Sequence, residues 1–444
     1  MKGSFVVATK SRKTWARCLL NSLSNMPNPN NILKAECYPE ATAWQNGTCF
    51  KDVDKLGRQE FDMAEPRIRL GMVGGGEGAF IGAVHRIAAR LDDRYELVAG
   101  ALSASPDKAI GSAAAIGLGS DRSYPDFRTM ARAEAGRTDA IEAVAIVTPN
   151  HMHAPIAAAF LETGVHIICD KPLTTTLGEA RRLRDKARTS GLIFAVTYNY
   201  SGYPLVRHAR SMVQGGELGA IRIVQLEYPQ DWLAHPLEAT GQKQADWRTD
   251  PARSGSGCVG DIGTHAYQLA HFVTGMMPEE ILAETTIFVP GRRVDDNVQI
   301  LLRYGNGARG ALWASQVAPG NDNGLRLRIF GEKGGLDWRQ EEPNLLVWSP
   351  IGEAPRSIRR GATFMNAAGQ RVNRIPAGHP EGYLEAFATI YSEVATAIVA
   401  SRTGSFADPA LTFPTIEDGF AGVAMVDAVL RSSAAGGVWT PIES

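Results

Sequence analysis

The stretch Ile68-Arg-Leu-Gly-Met-Val73, followed directly by Gly74-Gly-Gly-Glu-Gly-Ala79, decides the architecture of this chain. A short apolar run reads as a buried strand. The glycines form a tight loop, and the apolar spacing from Val84 to Leu91 predicts a helix. Tyr95-Glu-Leu-Val-Ala-Gly-Ala-Leu102 then reads as a second strand. Strand, glycine loop, helix, strand is the opening of a doubly wound dinucleotide-binding fold. Gly74 permits the tight turn, Gly76 lets backbone approach a pyrophosphate, and the helix N-terminus offers free N–H groups. The third small residue is either Ala79 or, with a longer loop, Gly82.

Working outward, no acid stands between Leu102 and Asp107, where a carboxylate would ordinarily bind the adenosine ribose hydroxyls. Ser103, Ser105 and Lys108 would not repel a 2'-phosphate, so NAD or NADP is admitted as cofactor. Ala143–Val147 is a continuous apolar strand ending in Thr148-Pro-Asn150-His-Met-His153, with a helix from Ala154 to Glu162. Val165–Cys169 is another strand, ending at Asp170-Lys171-Pro172. Open parallel sheets bind ligands at strand C-terminal ends, so Thr148, Asn150, His153, Asp170, Lys171 and Pro172 are cofactor-pocket candidates. Thr176 and Glu179 form a capping box for a helix through Ser190, before a strand at Leu192–Thr197.

At 444 residues the chain is long enough for two domains. Lys plus Arg number 46 and Asp plus Glu 47, so no basic field favours nucleic acid or an anionic membrane. No run of 18 uninterrupted apolar residues occurs, which argues against a membrane span. The five cysteines form an odd set without a CxxC pair, which points to a reducing, cytoplasmic setting. His151 and His153 have ligand-like spacing but lack a neighbouring Cys or carboxylate, so no metal is expected. Residues 1–66 lack helical or strand period and are expected to be a disordered extension, or an upstream start preceding Met63.

The second half is strand-rich, with Asn297–Tyr304 and Ala308–Gln316 flanking the hairpin signal Gly305-Asn-Gly307. Helical periodicity returns at Glu381–Val399 and at 416–430, the latter expected to pack back on the nucleotide domain. Asp261 and His265 stand four apart on an expected helix from Asp261 to Thr274, sharing one face with Thr264. Trp247 offers an apolar plate for a ring and Arg248 a donor fork; Tyr200, Tyr203, Tyr228 and Gln230 are further pocket candidates.

The glycine loop, Thr148-Pro-Asn-His-Met-His153, Cys169-Asp-Lys-Pro-Leu173, Gly260-Asp-Ile-Gly-Thr-His265 and Thr415-Ile-Glu-Asp-Gly-Phe420, in this order, resemble the Gfo/Idh/MocA family. The resemblance implies an α/β protein with a Rossmann domain at 67–197. A C-terminal α+β domain at 198–444 would follow, with a large, mostly antiparallel open sheet. It also implies NAD(P)-dependent oxidation of a sugar or cyclitol hydroxyl, with Lys171, Asp261 and His265 in the active site, and a homo-oligomer, dimer or tetramer. Asp170 departs from the commoner Glu of the family motif. Alcohol oxidation needs a base for the hydroxyl proton and a cation for the oxygen. His265 is read as base, oriented or charge-balanced by Asp261, with Lys171 bridging substrate and nicotinamide ribose; Lys171 as base is the alternative. Two other readings are a glycoside-cleaving member that retains its NAD and a non-catalytic dinucleotide-binding sensor.

Overall fold

Five apolar strands make the first layer: β1 (Ile68–Gly74), β2 (Tyr95–Ala101), β3 (Ala143–Val147), β4 (His166–Cys169) and β5 (Phe194–Val196). The computed structural model describes residues 66–406 and 408–443, so the readings for the extension and Met63 fall outside the described residues, Pro66 excepted. The strands are parallel in the order β2-β1-β3-β4-β5. Every residue of β3 and β5 is buried, because helices cover both faces of a parallel sheet. Those helices are α1 (Phe80–Leu91), α2 (Pro106–Ala115), α3 (Phe127–Ala135), α4 (His153–Glu162) and α5 (Leu177–Ser190). Thr176 caps α5 as its capping box predicts, accepting from the Glu179 N–H.

The second half opens with α6 (Pro204–Gln214) and β6 (Ile221–Pro229); two short helices, α7 (Lys243–Arg248) and α8 (Pro251–Ser254), precede α9 (Thr264–Thr274). Then come β7 (Pro278–Thr286), β8 (Asn297–Tyr304), β9 (Arg309–Ser315), β10 (Arg326–Gly331), β11 (Gly334–Arg339), β12 (Leu345–Pro350) and β13 (Arg356–Arg359). With β14 (Thr440–Pro441) they form a nine-stranded sheet, β13-β12-β11-β10-β6-β9-β8-β7-β14. All its neighbours run antiparallel except β6 and β9. Alternation in β8 sends Val298, Ile300, Leu302 and Tyr304 inward to the core of the second sheet, while Gln299 and Leu301 point out. Gly307, at φ +89°, closes the β8–β9 hairpin that Gly305-Asn-Gly307 foreshadows.

Two late helices tie the layers together after a short α10 (Ala367–Gln370): α11 (Tyr383–Thr403) and α12 (Ile416–Ala434). Phe420, Val423 and Ala424 of α12 join the core of the first sheet, while Met425, Ala428 and Val429 join that of the second. α11 covers the other face of the first sheet through Phe387, Ile390, Tyr391 and Val394, a placement its periodicity does not reveal. It is long and apolar enough to cross a membrane, but two-thirds of it is buried inside the protein. Tyr391 is the fastener: its hydroxyl meets His85 Nδ1 at 2.8 Å and its carbonyl accepts from Tyr95 at 2.9 Å.

Burial lowers His85 to about 4, and His153 and His265 are lowered as well, burial again being the largest cause. Unfolded histidines titrate near 6.5, so below that pH the unfolded chain binds more protons than the native one. Stability present above pH ~6.5 is therefore lost as pH falls, for His85 between about 6.5 and about 4. The melting temperature is expected to change little from pH 7.5 to about 6.5 and to drop from there to pH 5, each such histidine contributing up to about 1.4 kcal/mol per pH unit. A flat or rising melting temperature in thermal scans over that range would contradict these burials.

Candidate active site

The glycine loop is built by close contacts that tolerate no side chain. Gly74 and Gly75 have φ of +81° and +70°. A Cβ on Gly76 would sit 2.5 Å from the Leu102 carbonyl oxygen, and one on Gly82 only 2.1 Å from that of Gly75. Gly82 is thus the third glycine, the one that lets α1 press on the loop, while Ala79 only precedes the helix. α1 begins at Phe80, four residues before the apolar spacing indicates, and no side chain caps its first turn. The N–H groups of Gly76, Glu77 and Ala79 are donated to the Leu102 carbonyl, Ser112 Oγ and the Gly76 carbonyl, so a pyrophosphate would draw on the uncapped first turn of α1. Gly82→Ala is expected to raise the Kd for NAD at least ~10-fold in a fluorescence titration, because the added methyl meets the Gly75 backbone and not a side chain that could move aside. Unaltered affinity would show that the loop does not seat the dinucleotide.

Around the loop, the Thr148 hydroxyl is buried without a partner, beside Gly74. Ser103 lies at the end of β2, accepting from Ser105 N–H at 3.2 Å, with Lys108 exposed in the first turn of α2. Asn150 instead reaches across to the Ser254 carbonyl at 2.9 Å. His153 is a correction to the cofactor-pocket expectation. Its ring is fully buried, with Nδ1 2.8 Å from the Pro172 carbonyl and Nε2 2.9 Å from that of Thr148, so it sits packed between the ends of β3 and β4 and, as a neutral imidazole, donates to one of the two carbonyls. Pro172 presents that carbonyl, and Asp170 accepts from Thr197 Oγ1 at 2.8 Å and from the Lys171 N–H at 3.0 Å.

Beyond Asp170 opens a cleft of about 600 Å³ whose walls include Asp170, Lys171, Tyr200, Arg248, Asp261 and His265. Lys171 Nζ donates to Asp261 twice, to Oδ1 at 2.9 Å and to the main-chain carbonyl at 2.6 Å. The other carboxylate oxygen accepts from Gln316 Nε2 at 2.8 Å and pairs with Arg248 Nε at 3.3 Å. Burial alone would push this carboxyl up, but the charges of Lys171 and Arg248 and the bonds from Lys171 and Gln316 hold it far below the ordinary range. His265 is 7% exposed, packed edge-on to Tyr200 with ring centroids 4.8 Å apart, and its Nδ1 has no partner. Burial, then the Lys171 charge, drives its pKa well below 6.5, with Asp261 pulling the other way.

Several expectations change at this point. Asp261 is not on a regular helix with His265: Val259–Gly263 is one wide π-type turn, and the α-helix starts at Thr264. The carboxylate consequently turns to Lys171, with no hydrogen bond to the imidazole, because a full ammonium charge competes better than a neutral ring. Thr264 is fully buried and donates back to the Gly260 carbonyl at 2.9 Å, so it leaves the cleft face. Trp247 does not line the cleft either; it stacks under the Arg248 guanidinium at 4.3 Å. The aromatic walls come instead from Tyr200, Tyr228, Trp232, Tyr383, Phe387 and the 71%-exposed Phe80, while Tyr203 stacks behind Tyr200. Asn199, Gln316, Asn323 and Gln340 were not singled out from the sequence. Gln316 ends a strand-like run and Asn323-Gly324 is a turn signal, the only local marks they carry.

Residues 68–198 match a family model described as the oxidoreductase family with NAD-binding Rossmann fold, and residues 206–337 match the GFO/IDH/MocA C-terminal domain. An oxidoreductase from Sinorhizobium meliloti of known structure is 53% identical, covering 84% of this chain and 99% of its own, with a TM-score of 0.78. The chain is a GFO/IDH/MocA oxidoreductase. An inositol dehydrogenase homolog from Azotobacter vinelandii, solved with NAD+, is 37% identical over 84% of this chain and 97% of its own, at TM-score 0.81. Levoglucosan dehydrogenase from Pseudarthrobacter phenanthrenivorans is 28% identical over 84% of this chain and 98% of its own. In this GFO/IDH/MocA oxidoreductase the first sheet belongs to the NAD-binding Rossmann fold, and Gly74, Gly76 and Gly82 are the glycines of its first loop whose close contacts exclude a side chain. Asp170 stands at the end of β4 with its carboxylate engaged by Thr197.

Proposed function

We propose that this enzyme transfers hydride between a ring hydroxyl of a sugar or cyclitol and NAD(P), with His265 as base and Lys171 as the oxygen-holding cation. The observation that carries the reading is the Lys171–Asp261–His265 cluster facing one cleft between the dinucleotide-binding sheet and the second sheet. The nicotinamide, when bound, supplies the hydride acceptor. An ammonium has three N–H donors; Lys171 directs two at Asp261 and keeps one for a substrate oxygen. Paired with Asp261, Lys171 is placed to stabilise a developing alkoxide. His265 is neutral above pH 6.5 and remains so well below it, so it is the group ready to accept the hydroxyl proton. Nearby Asp261 favours the imidazolium that results. The acid limb of a kcat/KM profile for alcohol oxidation is expected below pH 6.5, and a limb above 7 would argue against His265 as base.

Sugars, inositols and levoglucosan are screened with NAD and NADP, following reduced nicotinamide absorbance. Net reduction supports the reading; bound cofactor with no net reduction on a glycoside that is nonetheless cleaved supports a transient-oxidation mechanism instead. Assembly into a homo-oligomer is part of the same proposal. The outward face of the nine-stranded sheet exposes Ile223, Leu301 and Phe330 on adjoining rows among charged residues such as Glu227 and Arg328, a mixed surface that a second copy would cover. Light scattering that reports a monomer at micromolar concentration would overturn that part.

A further inference from the structure

We propose that Arg248, with Gln242 and Gln244, forms a subsite for an anionic substituent, carboxylate or phosphate, on the sugar that this cleft takes; this rests on the ring-hydroxyl oxidation argued above. All three side chains line the cleft at α7, and Arg248 meets Asp261 through the carboxylate oxygen that Lys171 does not use. The guanidinium is held at three points. Its Nε lies 3.3 Å from Asp261 Oδ2, its Nη1 donates to Gln244 Oε1, and it stacks over the Trp247 ring at 4.3 Å. Arginine has five N–H donors, so with one on Asp261 and one on Gln244 the rest, including both on Nη2, are unspent in a side chain 25% exposed.

The bonds already made by the neighbouring amides settle what they offer. Gln244 Oε1 is taken by Arg248, and Gln242 Oε1 accepts the Ala245 N–H at 2.6 Å. Each amide therefore keeps its Nε2 donors, which have no partner among the described residues. The three side chains present donors without an acceptor. A hydroxyl at such a surface finds nothing to receive its own proton, whereas an oxygen of a carboxylate or phosphate dianion only accepts. Charge points the same way. Lys171 and Arg248 share the single carboxylate of Asp261, two positive charges against one negative. Asp170, the other carboxylate of the cleft wall, accepts from Thr197 and the Lys171 N–H and pairs with neither cation. With Lys171 assigned to the reacting oxygen, the uncompensated charge is that of Arg248, whose fork can hold two oxygens of one anion.

The full-length protein with saturating NAD is assayed on D-glucose, D-glucuronate, D-glucose 6-phosphate, D-galactose and D-galacturonate. At least one charged sugar is expected to exceed its uncharged parent in kcat/KM by ~10-fold or more, chiefly through KM, and which one does so tells carboxylate from phosphate. Arg248→Gln is expected to erase most of that ratio, and Arg248→Lys, with the charge but not the fork, to recover part of it. Gln244→Glu sets a carboxylate beside the guanidinium and should lower the ratio too; it serves if the Arg248 variants fail to fold. A general loss of turnover cancels in each ratio. Binding is read separately, by tryptophan-fluorescence titration of the NADH-loaded protein with the preferred charged sugar, whose Kd should rise ~10-fold or more in Arg248→Gln. Uncharged sugars preferred throughout, or a ratio and Kd unmoved in folded variants, would overturn this proposal alone. Binding of a charged sugar that depends on Arg248, without turnover of any sugar, would uphold the subsite and overturn the activity reading.

Discussion

Lys171→Met is expected to lower turnover at least ~100-fold while the protein still folds and binds NAD. Lys171 is 14% exposed at the end of β4, and its two bonds to Asp261 cross 90 residues of sequence to join the two halves at the cleft. Methionine fills about the same volume but removes the charge that is proposed to steady an alkoxide. Asp261 keeps Gln316 and Arg248 as partners, so the loss is concentrated in catalysis. A second signature separates this role from a merely structural one. Lys171 is one of the two causes that depress His265, so the variant's residual activity should show its acid limb displaced to higher pH. Turnover within about tenfold of the parent, with an unmoved limb, would remove Lys171 from the mechanism.

Arg207→Leu is expected to cost about 3 kcal/mol of folding stability, read as a lower denaturant midpoint at unchanged slope. Arg207 on α6 and Glu393 on α11 are each 3% exposed and paired at 2.8 and 3.0 Å, and Arg207 Nε also donates to the Ser201 carbonyl at 2.6 Å. Removing the guanidinium leaves a buried carboxylate with fewer donors. Arg371 and the Thr412 N–H continue to serve Glu393, which places the effect at the lower end of the range for a broken buried pair. The double variant with Glu393→Leu is expected to recover part of the loss, since two apolar groups bury no charge. A change below about 1 kcal/mol in the single variant would show that the pair does not hold α11 against α6.

Much of the first sheet was legible because each signal was local. Ile68–Val73 and Ala143–Val147 are apolar through strand-length runs, the glycines lie between strand and helix, and Thr176 sits three before Glu179. In the second half, β8 and β9 announced themselves through the glycine hairpin. β6, β7 and β11 did not, since their alternation is diluted by charged residues on the outward face, such as Glu227, Glu284 and Asp337. Lys171, Asp261 and His265 could be named as candidates from their motifs. Trp247 and Thr264 could be named too, yet a side chain's direction depends on the turn that carries it, and here one turn is π rather than α.

The sequence by itself determined the dinucleotide fold, the strand ends where chemistry collects and the residue types available for moving a proton, because these follow from spacing within a few dozen residues. Only the tertiary structure decided that Gly82 is the third glycine, that Asp261 serves Lys171, that His153 packs between the ends of β3 and β4 and that Asn323 belongs to the cleft. Each of those facts depends on groups far apart in the chain, or on the geometry of a turn, and hydrogen bonding between such groups is settled only when packing brings them within about 3 Å.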